Sequence, residues 1–379
     1  MIKSALGIFF SLLIIATPLA HAKDTKSTVK KPAVTKTVKK KTSGKAAAAK
    51  STAKKKKVSS KKTASGKHAS LNSKQRLVKK TVVVNGKRKT VYQRVAVRPA
   101  VPVVPPVMTA GDLAGLNLTR DPLALASNVA LVMDQSDATV LFEKNANVTL
   151  PIASITKLMT ALVVIESHQD MNEILEVTSD DIDREKNSSS RLRVGSRLSR
   201  ANMLHIALMS SENRAASALG RHYPGGLPAF VEAMNAKARE LGMNGTHYVD
   251  STGLSSHNVA TARDLARLVM HAARHPILCQ YSTDTKYVVE PGGRALQYAN
   301  SNRLVNNPDW EIGLQKTGYI SEAGRCLVMQ ANINGRPIVM IFLDSKGKYS
   351  RLGDARRIRD WLEETQPRNA SRTVRKIES

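Results

Sequence analysis

What most narrows the fold of this chain is the order in which strand and helix patterns follow one another. Asn128 to Asp134 and Thr139 to Glu143 are short apolar runs joined by Gln135-Ser136-Asp137-Ala138, a polar hairpin connection. Helical patterns dominate from Ser199 to Leu241 and from Thr261 to Arg274, where Thr261 is placed to cap and Asp264 to favour the helix dipole. Strand patterns return at Gly313–Tyr319, Arg325–Asn332 and Pro337–Asp344, with the hairpin signal Asn334-Gly335 between the last two. A helix with Ala355, Ile358, Trp361 and Leu362 on one face follows. Strands at the two ends of a helical section bury their apolar faces by meeting. The pattern therefore predicts an α+β domain over residues 110–365: a five-stranded antiparallel sheet flanked by helices, a helical lobe, and a cleft between them. Residues 366–379 read as a flexible tail.

Ahead of this domain the chain has a different character. Lys3, the apolar run Leu6 to Ile15 and Ala20-His21-Ala22 form the three regions of a secretory signal, too short to span a bilayer. Cleavage is expected after Ala22, with export of the mature chain. The net charge of +29 is concentrated just beyond it: residues 23–98 hold 26 Lys and Arg against one acid, Asp24. Residues 23–80 are rich in Lys and Ala, lack aromatics, and repel themselves, so they read as disordered. In the cytosol such a segment would suggest nucleic acid. An exported polycation instead meets anionic membrane headgroups and wall carboxylates, or serves as a solvated spacer. Thr81 to Lys87 resembles one arm and the turn of a weak hairpin, and the Pro-rich stretch from Pro99 to Pro106 a stiff linker, within a connecting region 81–109. Cys279 and Cys326 permit one disulfide or two buried thiols.

Three short motifs carry the chemistry. Ser154 and Lys157 stand three apart at the start of an apolar helical run, which places them on one face. A serine hydroxyl needs a base, and lysine can act as one only when neutral. Lowering its pKa from about 10.4 to about 7 takes ~4 kcal/mol. A helix N-terminus supplies at most ~2 kcal/mol, so burial and a second cation must provide the rest. Ser211-Glu212-Asn213 brings a hydroxyl and an amide that can relay a proton and hold a carbonyl. Lys316-Thr317-Gly318 lies on a predicted strand, where Lys316 is the candidate second cation and the glycine signals close approach of another backbone.

Each motif alone is weak. In this order they resemble the serine DD-peptidases, the superfamily of penicillin-binding proteins and β-lactamases. Ser190 to Gly195, His205 to Ala216, Ser251-Thr252-Gly253-Leu254 and Lys316 through Met329 are similar to the penicillin-binding protein 7-like D-alanyl-D-alanine endopeptidases. That resemblance implies Ser154 as nucleophile, Lys157 as general base, Ser211 as proton relay and Asn213 as holder of the acyl-side amide. It implies Lys316, Thr317 and Gly318 as substrate-binding residues, and the backbone N–H groups of Ser154 and Tyr319 as the oxyanion hole. The implied partners are peptidoglycan stem peptides, with β-lactams as inhibitors. Glu212 either meets a cationic substrate group or faces solvent, with solvent the favoured reading.

A carboxypeptidase trimming terminal D-alanine is the nearest alternative, and a non-enzymatic cationic wall-binding protein the more distant one. A β-lactamase would need a deacylating glutamate. Glu173, Glu176 and Glu185 occupy the interval between the first two motifs without a recognisable context. His271 and His275 have i, i+4 spacing, but the glutamate of His-Glu-x-x-His is missing, so they read as surface or core histidines and no metal is assigned. No Gly-rich phosphate loop occurs and no cofactor is implied.

Overall fold

The computed structural model describes residues 75–96 and 108–365. The signal and most of the basic segment, the Pro-rich linker and residues 366–379 lie outside the described residues. The chain divides into two units, residues 1–99 and 100–379.

In the first unit, strands Gln75–Val84 and Lys87–Ala96 pair antiparallel with Val84 opposite Lys87. Asn85 and Gly86 both take positive φ, 51° and 73°, which is what a two-residue type I′ turn requires. The first strand starts at Gln75, six residues before the Thr81 expected from the sequence.

The second unit is built on one sheet. Its strands are β1 (Ser127–Asp134), β2 (Val140–Lys144), β3 (Glu311–Ile320), β4 (Gly324–Ile333) and β5 (Arg336–Ser345), in the order β3-β4-β5-β1-β2. Every pairing is antiparallel, and β5 lies beside β1 with Ile341 opposite Leu131. The two ends of the domain therefore meet in mid-sheet. All eight residues of β1 are buried, because both faces are covered. Val129, Leu131 and Met133 point to the helical lobe. Ala130 and Val132 pack with Ala355, Ile358 and Leu362 of α7 (Ser350–Thr365), which is the period-two alternation of a strand. The Asp354 carboxylate accepts from the backbone N–H groups of Ala126 and Ser127 at 3.0 and 2.8 Å, fixing α7 to the start of β1.

Between β2 and β3 run α1 (Thr156–Glu166), α2 (Arg200–Met209), α3 (Asn213–Arg221), α4 (Gly226–Glu240), α5 (Ala262–Ala272) and α6 (Pro276–Thr283). Nine of the eleven residues of α1 are buried, so its apolar surface extends all round and it forms the centre of the lobe. Thr261 caps α5 by accepting from the Asp264 N–H at 3.1 Å. The sequence pattern missed α6, started by Pro276 at its first position, and the short ribbon of Lys286–Val289 with Leu296–Ala299. Cys279 and Cys326 are both free, and each thiol meets a carbonyl oxygen, Ala273 and Ala323 respectively. Among the described residues no helix is long and apolar enough to cross a membrane.

Candidate active site

Ser154 does not lie on the α-helix itself. It occupies the middle of a 3-10 turn, Ala153–Ile155, that leads into α1. Ala153 takes φ 49°, a left-handed conformation that costs a non-glycine residue energy and persists only when its surroundings enforce it. Two glycines do so. A Cβ on Gly253 would come within 2.0 Å of the Ala153 carbonyl oxygen. A Cβ on Gly318 would come within 2.9 Å of the Ile152 oxygen and 3.1 Å of the Ser154 nitrogen. The Ser154 turn is thus pressed between a loop of the helical lobe and strand β3, and the close approach anticipated for Gly318 is present.

Lys157, in the first turn of α1, is 1% exposed. Its Nζ lies 3.0 Å from Ser154 Oγ, 2.7 Å from Asn213 Oδ1 and 2.6 Å from the Thr252 carbonyl oxygen. The two shortest contacts are to obligate acceptors, and the third is to a hydroxyl that can donate or accept. An ammonium donates to all three. A neutral amine donates to Asn213 and Thr252 and turns its lone pair to the Ser154 hydroxyl. Both protonation states are satisfied without movement. Burial brings the amine from its usual range down to about 8, against the opposing pull of the Asp250, Glu212 and Asp183 charges.

Lys316 is fully buried and its Nζ donates to the Thr317 carbonyl at 2.8 Å. Burial first, then the Lys157 and Arg351 charges, hold it well below the usual lysine range. This revises the sequence argument. Burial is the first cause at Lys157, and the charges that act on it there are carboxylates rather than a neighbouring cation. A fully buried amine also presents no charge at the surface for a substrate to meet.

Asn213 opens α3. Its Oδ1 accepts from Lys157, while its Nδ2 donates to Ser188 Oγ at 2.7 Å, which fixes the amide's orientation. Ser188 is held in turn by the Asp183 carboxylate, which accepts its N–H at 2.7 Å. Ser211 takes φ 65° in the joint between α2 and α3, and its hydroxyl makes no hydrogen bond among the described residues. Glu212 does not face solvent: it is 7% exposed, caps α3 through the Arg214 N–H, and accepts from the Tyr298 hydroxyl at 3.3 Å. The solvent-facing reading is therefore wrong, because the helix N-terminus draws the carboxylate inward.

Thr317 Oγ1 donates to Ser301 Oγ at 2.7 Å, and the Ser301 N–H donates to the carbonyl of Met209, the last residue of α2. Ser301 thus ties the third motif to the second. Strand β3 is at the edge of the sheet, so alternate N–H groups on its outer side have no sheet partner. Its Tyr319 side chain is 56% exposed under the Arg325 guanidinium. Beside Asn213 and Thr252 opens a cavity of about 610 Å³ that includes Asp180, Asp183, Glu185 and Asp250 in its wall. Of Glu173, Glu176 and Glu185, Glu173 pairs with Arg200, Glu176 lies on an outer ribbon, and only Glu185 reaches this cavity. Ser188, Thr252, Gly253 and Ser301 were not assigned roles from the sequence; two of them lay in the quoted Ser251-Thr252-Gly253-Leu254 stretch, which could have pointed to them.

A buried lysine beside a serine, in a turn pressed against the edge of an antiparallel sheet, is the pairing that serine acyl transfer needs. The family model described as D-alanyl-D-alanine carboxypeptidase, peptidase S11, matches residues 117–347, and the chain belongs to that family. The D-alanyl-D-alanine endopeptidase of Pseudomonas aeruginosa is 48% identical over 276 residues, 72% of this chain and 86% of that protein. The Escherichia coli D-alanyl-D-alanine endopeptidase is 44% identical over 241 residues, 63% of this chain and 78% of that protein. Among solved structures, the Streptomyces K15 DD-transpeptidase superposes with a TM-score of 0.60 at 25% identity, covering 64% of this chain and 98% of that one. Penicillin-binding protein D2 of Listeria monocytogenes in its cefotaxime-bound form gives 0.57 at 26% identity, with the same coverage.

Proposed function

We propose that this serine peptidase cleaves D-alanyl peptide cross-links of peptidoglycan as an endopeptidase, through an acyl-enzyme on Ser154. The contact that carries the reading is Lys157 Nζ at 3.0 Å from Ser154 Oγ, with its other two partners being carbonyl oxygens. Neutral Lys157 takes the hydroxyl proton as Ser154 Oγ bonds to the carbonyl carbon of the D-alanyl unit. The oxyanion forms against the backbone N–H groups of Ser154 and Tyr319, where one such donor is worth about 2.7–4 kcal/mol. As the C–N bond breaks, the leaving amine takes a proton from Lys157 by way of Ser211. Asn213 holds the acyl-side amide, and Lys316, Thr317 and Gly318 shape the strand on which the substrate lies. Water then hydrolyses the ester, and a β-lactam forms the same ester and leaves slowly. The endopeptidase preference rests on the Pseudomonas and Escherichia relatives. The family's description makes removal of terminal D-alanine the second reading.

Fluorescent penicillin should label the wild type and not Ser154→Ala; equal labelling of both sinks the mechanism. Purified cross-linked muropeptides then separate the two readings. Dimers cleaved to monomers supports the endopeptidase, whereas D-alanine released from pentapeptides with dimers untouched supports the carboxypeptidase.

The leader over residues 1–22 and these substrates together support a periplasmic location. The basic segment that follows supports attachment to the anionic wall or membrane surface, an attraction screened beyond about 8 Å at physiological salt. Deleting residues 23–98 should weaken binding to sacculi and anionic vesicles at low salt. Unchanged binding would make the segment a spacer.

A further inference from the structure

His271 and His275 are not one helical face. Helix α5 ends at Ala272, and His275 lies immediately before Pro276, where α6 begins. The break turns both imidazoles toward a carboxylate from elsewhere in the chain. Glu166, the last residue of α1, has Oε1 at 2.8 Å from His271 Nε2 and 3.3 Å from His275 Nε2. One potential ligand atom from each of the three lies within 4.8 Å of the other two. The other carboxylate oxygen accepts from Lys237, in the last turn of α4, at 2.7 Å. The carboxylate missing from the local sequence is therefore supplied by a different helix.

We propose that Glu166, His271 and His275 form a binding site for one divalent transition-metal ion of the zinc class. Two imidazole nitrogens and one carboxylate oxygen are a donor set for a borderline ion, whereas calcium and magnesium favour sites made of oxygens. Each side chain is about a quarter exposed, which gives the ion a route in and leaves a fourth position for water. Lys237 holds the carboxylate from its far side, the orienting contact that metal-binding carboxylates use. The location adds a further attraction. Helices α1, α4 and α5 bring their C-terminal turns here, and the negative ends of their dipoles lie around the cluster. Ligands at about 2.0–2.2 Å from a tetrahedral ion stand about 3.4 Å apart, so an ion entering here replaces the 2.8 Å Glu166–His271 hydrogen bond and parts those two atoms slightly.

The site takes no part in the chemistry at Ser154. Lys157 and Glu166 are nine residues apart on α1, about 14 Å along the axis. The ion acts as a staple that joins the end of the central helix to the α5–α6 junction.

The test uses untagged full-length protein stripped with chelator and titrated calorimetrically with zinc sulfate near neutral pH. One zinc should bind per chain with low-micromolar affinity and raise the melting temperature of the wild type. His271→Ala and His275→Gln should each weaken binding by more than about tenfold. Both should abolish the thermal shift while fluorescent penicillin still labels Ser154, which shows that the variants are folded. The cobalt-loaded wild type should show visible bands of a four-coordinate ion, absent from both variants. Absence of zinc binding by the wild type overturns the proposal. So does full retention of binding in the two variants, which would move the ion to another group such as His68.

Discussion

Gly318→Ala tests whether the strand and the Ser154 turn act as one piece. The new methyl group would stand 2.9 Å from the Ile152 oxygen and 3.1 Å from the Ser154 nitrogen, where ordinary contact begins at 3.4 Å. The turn must recede from β3 by about 0.5 Å to relieve the closest contact. The Ser154 N–H belongs to one side of the gap and the Tyr319 N–H to the other, so the proposed oxyanion hole widens by a similar amount. A misplacement of about 1 Å can cost 10²-fold in rate. Half that displacement predicts acylation slowed by about tenfold, or ~1.4 kcal/mol, with 10²-fold as the upper bound. The measurement is the second-order rate constant for fluorescent penicillin, followed from mixing, beside a thermal melt. Overpacking should also lower stability by about 1–3 kcal/mol, which leaves a folded protein to assay. Acylation within threefold of the wild type, in a variant that melts cooperatively, would refute the coupling. Gly253→Ala presses on the same turn from the opposite side, with a Cβ 2.0 Å from the Ala153 oxygen and φ 78°, and should be the more damaging change.

Acylation should rise with pH through about 8, because Lys157 must be neutral to accept the Ser154 proton and its folded-state value lies there; a profile flat from about pH 6 to 9 would remove Lys157 as the base. Ser188→Ala frees the Asn213 amide to rotate, leaving Lys157 facing an N–H in place of an acceptor. One neutral hydrogen bond of about 1 kcal/mol predicts roughly a fivefold loss in acylation rate, with Ser188→Thr restoring most of it. Equal rates in Ala and Thr variants would show that Ser188 does not orient the amide.

The parts legible beforehand share a cause. The apolar run of β1, the strand patterns of β3 to β5, the Asn334-Gly335 turn and the Thr261 cap are local, and local backbone preferences are written in neighbouring residues. The helix α6 was missed because Ile277, Leu278 and Tyr281 make only about two turns, too few for a clear period. Glu212 was misread because a carboxylate at a helix start is stable either in water or as a cap, and only the packing of Tyr298 above it decides between them.

By itself the sequence determined the chemical vocabulary: a serine with a lysine three residues on, a Ser-x-Asn, a Lys-Thr-Gly, and two strand groups that had to join across a helical section. Tertiary structure decided how those parts act. It put Ser154 in a 3-10 turn held by glycines from two remote segments, and made Ser188 the partner that orients Asn213. It buried both lysines, so that desolvation rather than a neighbouring cation lowers Lys157 to about 8. It also joined Glu166 to two histidines more than a hundred residues away. Burial, amide orientation and donor clusters depend on groups distant in the chain, and separation in sequence carries no measure of distance in space.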